Sequence, residues 1–187
     1  MLPKLFVLLL ILLRIYFNDC DFFQAAGPPN FFYREFSNCA KGPTAIDFHF
    51  TARSLNITYQ VLDGDLTTTI PMEDNLLVKN VVYISIEKRW IHLTNITCKF
   101  CQLLRNFLGP VRKIALTSIG LSEDTCPIPK GSYHARNVHA DMRNSRIPAF
   151  PYGLMKVDTA LHSVHTNEMK GCLESVLENR PLHETSK

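Results

Sequence analysis

The stretch Cys126-Pro127-Ile128-Pro129-Lys130-Gly131-Ser132-Tyr133 restricts this chain more than any other. Two prolines remove backbone donors and fix φ, so the chain must arrive extended and turn at Gly131 before a strand can start at Ser132. With a cysteine at its head, and Gly171-Cys172 downstream, the stretch reads as a covalently pinned strand entrance. A fold built around it needs strands and an oxidising compartment.

The start of the chain points to that compartment. Met1 to Lys4 is a short positive region, and Leu5 to Leu13 is an apolar run of nine residues before Arg14. A membrane span needs about 20 apolar residues, so this run has the length of a signal-peptide core. The expected division is a signal peptide over 1–20, one domain over 21–179 and a mobile tail over 180–187. Cleavage anywhere from Asn18 to Ala26 fits, so Cys20 is removed by some of these cuts. An uncleaved anchor is the alternative, and Arg14 interrupts it. The remaining chain, about 165 residues, is long enough for one sizeable core. The 20 basic and 17 acidic residues of the full sequence are interspersed, which argues against a nucleic-acid footprint.

Six cysteines stand at 20, 39, 98, 101, 126 and 172. Two sequons, Asn56-Ile57-Thr58 and Asn95-Ile96-Thr97, mark Asn56 and Asn95 as glycosylation candidates in an exported chain. Disulfides are then the default state of the cysteines. Cys98-x-x-Cys101 also has the spacing of half a zinc site or a redox pair. Zinc would need two further ligands, and no second short Cys or His pair is suitably placed, so no metal is expected.

Period-2 alternation dominates the middle of the chain. Leu55, Ile57, Tyr59 and Val61 alternate with polar residues, which predicts a half-buried strand with Asn56 on its polar face. Asp63-Gly64-Asp65 then reads as a turn, and Thr67 to Ile70 as a strand stopped by Pro71. Ile46, Phe48 and Phe50 form a similar stripe, and Val82, Ile84 and Ile86 share one face of a strand over 78–87. Trp90 and Leu93 add apolar material.

One segment departs from this rhythm. Phe100, Leu103, Leu104, Phe107 and Leu108 recur at helical spacing, with Thr97 as N-cap and Gly109-Pro110 as the stop. A short amphipathic helix over 97–108 is expected, packed on the core or walling a cavity. Leu116 to Leu121 is too short to classify. Strands are expected from Tyr133 to Met142, from Leu154 to Leu161 and from Cys172 to Leu177, separated by the proline-punctuated stretch Ile147 to Gly153. Met155, Val157, Thr159 and Leu161 fall on one face. The sum is an all-β fold: seven to nine antiparallel strands in an immunoglobulin-like sandwich with one inserted helix.

Catalytic patterns are thin. The chain has no Gly-x-Ser-x-Gly elbow, phosphate loop or His-Glu-x-x-His helix. His134/His139 and His162/His165 fall on opposite strand faces, a poor geometry for a shared metal. Asp63 and Asp65 flank a glycine and read as turn formers. The expectation is a protein that is not an enzyme and carries no cofactor.

Cys126-Pro127-Ile128-Pro129-Lys130-Gly131-Ser132-Tyr133, Ile147-Pro148, Gly153-Leu154-Met155-Lys156-Val157 and Gly171-Cys172 together resemble the ganglioside activator group of ML-type lipid-recognition domains. Within it, the pattern is most similar to the insect branch of secreted chemosensory proteins of the A and B types. The resemblance covers about Cys101 to Glu178 well; upstream it rests on the signal peptide, Cys39 and the strands ending near Trp90. It implies a cup-like β-sandwich whose sheets splay around an apolar cavity. It also implies that Cys101 pairs with Cys126 and Cys39 with Cys172. The ganglioside activator has further cysteines that this chain lacks, which leaves Cys20 and Cys98 unassigned.

The physical logic of such a cup stands by itself. Where sheets open at one end, their inward apolar faces cannot interdigitate, and a lipid chain, long-chain hydrocarbon or pheromone-like molecule fills the gap at about 0.8 kcal/mol per buried CH₂. The candidate lining is Ile57, Tyr59, Val82, Ile84, Trp90, Leu104, Phe107, Tyr133, Val157 and Leu161. Phe150 and Tyr152, beside Pro148 and Pro151, are candidates for an exposed apolar rim that meets a membrane or receptor. The competing function is a secreted adhesion module of similar topology with a filled core.

Overall fold

The computed structural model describes residues 26–39, 44–56, 59–139, 141–147 and 149–181. The expected signal peptide, Cys20, Ile57, Pro148 and tail residues 182–187 lie outside the described residues.

The described residues form ten strands, β1 (Ala26–Gly27), β2 (Phe31–Ser37), β3 (Ile46–Ser54), β4 (Gln60–Thr68), β5 (Leu76–Ile86), β6 (Arg89–Lys99), β7 (Gly131–Val138), β8 (Phe150–Pro151), β9 (Gly153–Ser163) and β10 (Met169–Asn179). Every strand pair is antiparallel. A five-stranded sheet runs in the order β2-β10-β9-β5-β6, a three-stranded sheet in the order β3-β4-β7, and β1 pairs with β8. Alternation explains the larger sheet: Leu76, Val78, Val82 and Ile84 turn inward from β5, and Met155 and Leu161 do so from β9. The register sets Val82 beside Val157 and Val78 beside Leu161.

Two readings of the sequence are corrected here. Leu55 to Val61 is not one strand: β3 ends at Ser54, the chain reverses, and β4 starts at Gln60. The reversal carries apolar Leu55 and Tyr59, so the alternation through it imitated a strand. Asp63-Gly64-Asp65 is no turn but the middle of β4. Gly64 faces inward, where a side chain would strike the Phe50 ring, an added Cβ lying 2.5 Å from it. Asp63 and Asp65 face outward and bind β7: Asp63 accepts from the Asn137 backbone N–H, and Asp65 pairs with His134 and Arg136. Hydrogen bonds from His134 and then Arg136 hold the Asp65 carboxyl below its usual range.

The helical insertion also differs from expectation. β6 continues through Thr97, and a helix starts at Phe100–Leu103, widens into a π-helical turn at Leu104–Leu108, and resumes after Gly109-Pro110 as a second helix, Val111–Ser118. Thr97 therefore caps nothing. Asp74, 27 residues upstream of Cys101, accepts from the Cys101 and Gln102 backbone N–H groups at 2.9 and 3.3 Å, satisfying the first orphan donors of the helix from another part of the fold.

The two larger sheets meet where Ile46, fully buried, packs with Leu161, Leu76 and Val78. Gly171 permits the approach, since an added Cβ would stand 2.7 Å from the Ile46 carbonyl oxygen. Disulfides join Cys39 to Cys172 and Cys101 to Cys126, with Cα separations of 5.5 and 5.9 Å. Cys98 has no disulfide among the described residues, and burial raises its thiol pKa. The stretch from Cys126 to Tyr133 is pinned three ways: by its disulfide, by paired backbone bonds between Ile128 and Met72, and by the Tyr133 hydroxyl, which donates to the Pro129 carbonyl at 2.7 Å.

Candidate functional site

Away from the meeting of the sheets, the helical insertion holds them apart and leaves two cavities. The first, about 300 Å³, lies on the inward face of the five-stranded sheet and is covered by Leu103, Phe107, Leu108, Met142, Ile147 and Phe150. The second, about 280 Å³, lies on the inward face of the three-stranded sheet beneath Phe100, Leu104 and the Val111–Ser118 helix. Both sit at the small end of ligand pockets, which span roughly 300–1,000 Å³. The π turn separates them. Its i→i+5 hydrogen bonding widens the turn, so that Leu104 lines one cavity while Phe107 and Leu108, with Leu103 just before it, line the other.

The cover of the first cavity is held by polar bonds outside it. The Arg146 N–H donates to the Phe107 carbonyl at 2.7 Å, joining the loop around Met142–Asn144 to the π turn. Asn179, 1% exposed, donates to the Phe150 and Pro151 carbonyls and accepts from the Asn30 N–H, so one fully satisfied amide fixes the β8 end of the cover. The Gln60 side chain bonds both backbone groups of Tyr33, at 2.8 and 2.9 Å, closing the free edge of β2 where no strand pairs.

The floor of the first cavity is apolar except for one belt. Val82, Met155, Val157 and Leu177 surround Asn80, Thr159, Ser175 and Tyr33. Thr159 lies opposite Asn80 in the register and donates to its Oδ1 at 2.7 Å. Burial pushes the Tyr33 phenol up to about 12. Among the described residues no charged side chain is in the wall.

Of the residues expected to line a cavity, Val82, Phe107 and Val157 line the first, and Leu104 and Tyr133 line the second. Ile84 and Leu161 are buried in packed core beside them. Three expectations fail. Trp90 stands 42% exposed, because the register sets it opposite Ser85 on the outward face of β5. Tyr59 is 37% exposed at the β3–β4 reversal, stacked on His139 at 4.0 Å. Phe150 is no exposed rim; it is buried against Phe31 and covers the first cavity, while Tyr152 is half-buried against Gly27. Ile57 lies outside the described residues.

Asn80, Thr159, Ser175, Tyr33 and Met142 were missed as site residues. Asn80 left a signal: it is the one polar residue on the inward parity of β5, Leu76-Val78-Asn80-Val82-Ile84. Asn56 and Asn95 are both exposed. Among the described residues no group of three or more His, Cys, Asp or Glu side chains could hold a metal ion, and no helix is long and apolar enough to cross a membrane.

A protein-family model described as "Protein of unknown function (DUF1091)" matches residues 76–157. The match begins with β5 and runs through the helical insertion and the Cys126 stretch into β9, and so takes in the wall between the cavities. No curated protein matches the chain.

Proposed function

We propose that this is a secreted, non-enzymatic binding protein of the ML-type lipid-recognition kind that holds a hydrophobic small molecule between its two sheets. A lipid, a long-chain hydrocarbon or a pheromone-like molecule suits the site. The observation that carries the reading is the apolar cavity of about 300 Å³ on the five-stranded sheet. At about 30 Å³ per water-sized unit, it accommodates a chain of about ten methylenes. At about 0.8 kcal/mol each, these supply about 8 kcal/mol, a micromolar Kd before ordering costs.

Export is supported by the signal-like start, the two disulfides and the exposed sequon asparagines. The resemblance to the insect chemosensory branch makes pheromone or contact chemosensation the role to examine first. The test is to purify the secreted chain, extract it with organic solvent and titrate it with a fluorescent fatty-acid probe. Co-purified lipid or saturable, displaceable probe binding is expected. Neither would occur in an adhesion module with a filled core, and finding neither removes the proposal.

A further inference from the structure

Polar groups on the walls of the two cavities are used differently. In the second cavity, the Ser118 hydroxyl donates to the Ala115 carbonyl at 2.8 Å and the Tyr133 hydroxyl donates to the Pro129 carbonyl. Both are engaged within the protein, and the surface left to a ligand is hydrocarbon. In the first cavity, Thr159 occupies the acceptor oxygen of Asn80, and the Asn80 amide N–H groups have no partner among the described residues. The Tyr33 hydroxyl likewise has none, and Ser175, 8% exposed, reaches only the Val157 carbonyl at 3.5 Å, beyond a good O–H···O distance.

Asn80, Tyr33 and Ser175 thus offer donors to an otherwise apolar space. A donor left unmet against apolar surface is unfavourable, and a valine at position 80 would continue the stripe of β5 without one. We infer that the first cavity selects a ligand with a neutral carbonyl oxygen, such as an ester, ketone or aldehyde on a medium-length chain, over a bare hydrocarbon or a free fatty acid. An alkane leaves the donors unmet. A carboxylate would meet them, but among the described residues no cation lines the cavity to offset burial of its charge. The inference rests on the reading of this cavity as the ligand site.

The experiment compares three twelve-carbon competitors, dodecane, methyl undecanoate and dodecanoic acid at pH 8, in displacing a fluorescent naphthylamine probe from the full secreted protein. The ester is expected to bind about tenfold tighter than the alkane and tighter than the acid. In Asn80→Leu, with the two compared in the same variant, the ester should lose its advantage over the alkane. Tyr33→Phe, which keeps the ring, should lose part of the ester's advantage; it carries the test should the Asn80 variant not fold. Equal ester and alkane affinities in the parent protein, tightest binding by the acid, or an intact ester preference in a folded Asn80→Leu protein would each overturn the inference while leaving ligand binding in place. Failure of the probe and all three competitors to bind would remove the binding reading itself, and this inference with it.

Discussion

Removing the two disulfides one at a time should separate stability from binding. Cys39–Cys172 closes a loop of 133 residues and Cys101–Cys126 one of 25. Loop-closure entropy in the unfolded chain scales these to about 5 and about 3.5 kcal/mol at 25 °C. With a urea m-value of about 2 kcal/mol/M, Cys39→Ala/Cys172→Ala should lower the unfolding midpoint by about 2.5 M and Cys101→Ala/Cys126→Ala by about 1.7 M, followed by circular dichroism. Binding should rank the other way. Cys101 lies at the root of the helical wall between the cavities, and Cys126 anchors the stretch that carries Ile128 against it. The second variant, folded and without denaturant, should therefore lose more probe affinity than the first. A larger midpoint loss in the Cys101/Cys126 variant would refute the loop-entropy argument. Unchanged probe affinity in that variant would refute the role given to the wall.

Filling the first cavity with Val157→Phe should weaken probe binding at least about tenfold while leaving the unfolding midpoint near that of the parent, because the ring enters existing space; a probe affinity equal to the parent's would place the ligand elsewhere. Gly171→Ala should destabilise by about 1–3 kcal/mol, since its Cβ would meet the Ile46 backbone; thermal unfolding measures it, and an unchanged Tm contradicts the close approach. The Tyr33 phenol, with its folded pKa raised by burial to about 12, contributes stability that is full below about pH 10 and is lost as pH rises through 12. Tyr33→Phe removes that loss, so its stability should fall less than the parent's between those limits. Parallel curves would show that the phenol ionises as if in water.

Strand alternation made most of the larger sheet legible, because a half-buried strand must repeat every two residues whatever it packs against. β5, β9 and β10 follow from it, and Met155, Val157 and Leu161 face inward as the parity requires. Local pattern misled where the same residue types serve another purpose. Asp-Gly-Asp is turn chemistry in isolation, yet in β4 its glycine gives way to Phe50 and its aspartates reach β7. Helical spacing located the insertion but could not reveal the π turn, nor Asp74 as its cap, a partner reached only through the fold.

Local chemistry sets the covalent and periodic frame: cysteines suited to bridging, strands of definite parity, and a pinned entrance at Cys126 to Tyr133. Each of these follows from chemistry within a few neighbouring residues. Long-range packing alone makes the sheets meet at Gly171 and Ile46 and leaves space on both sides of the helical insertion. It alone decided that Asn80, Thr159, Ser175 and Tyr33, drawn from four strands, stand around one cavity. Apolar periodicity is the same for a filled core and an open one, since it records which face turns inward and not what meets it there.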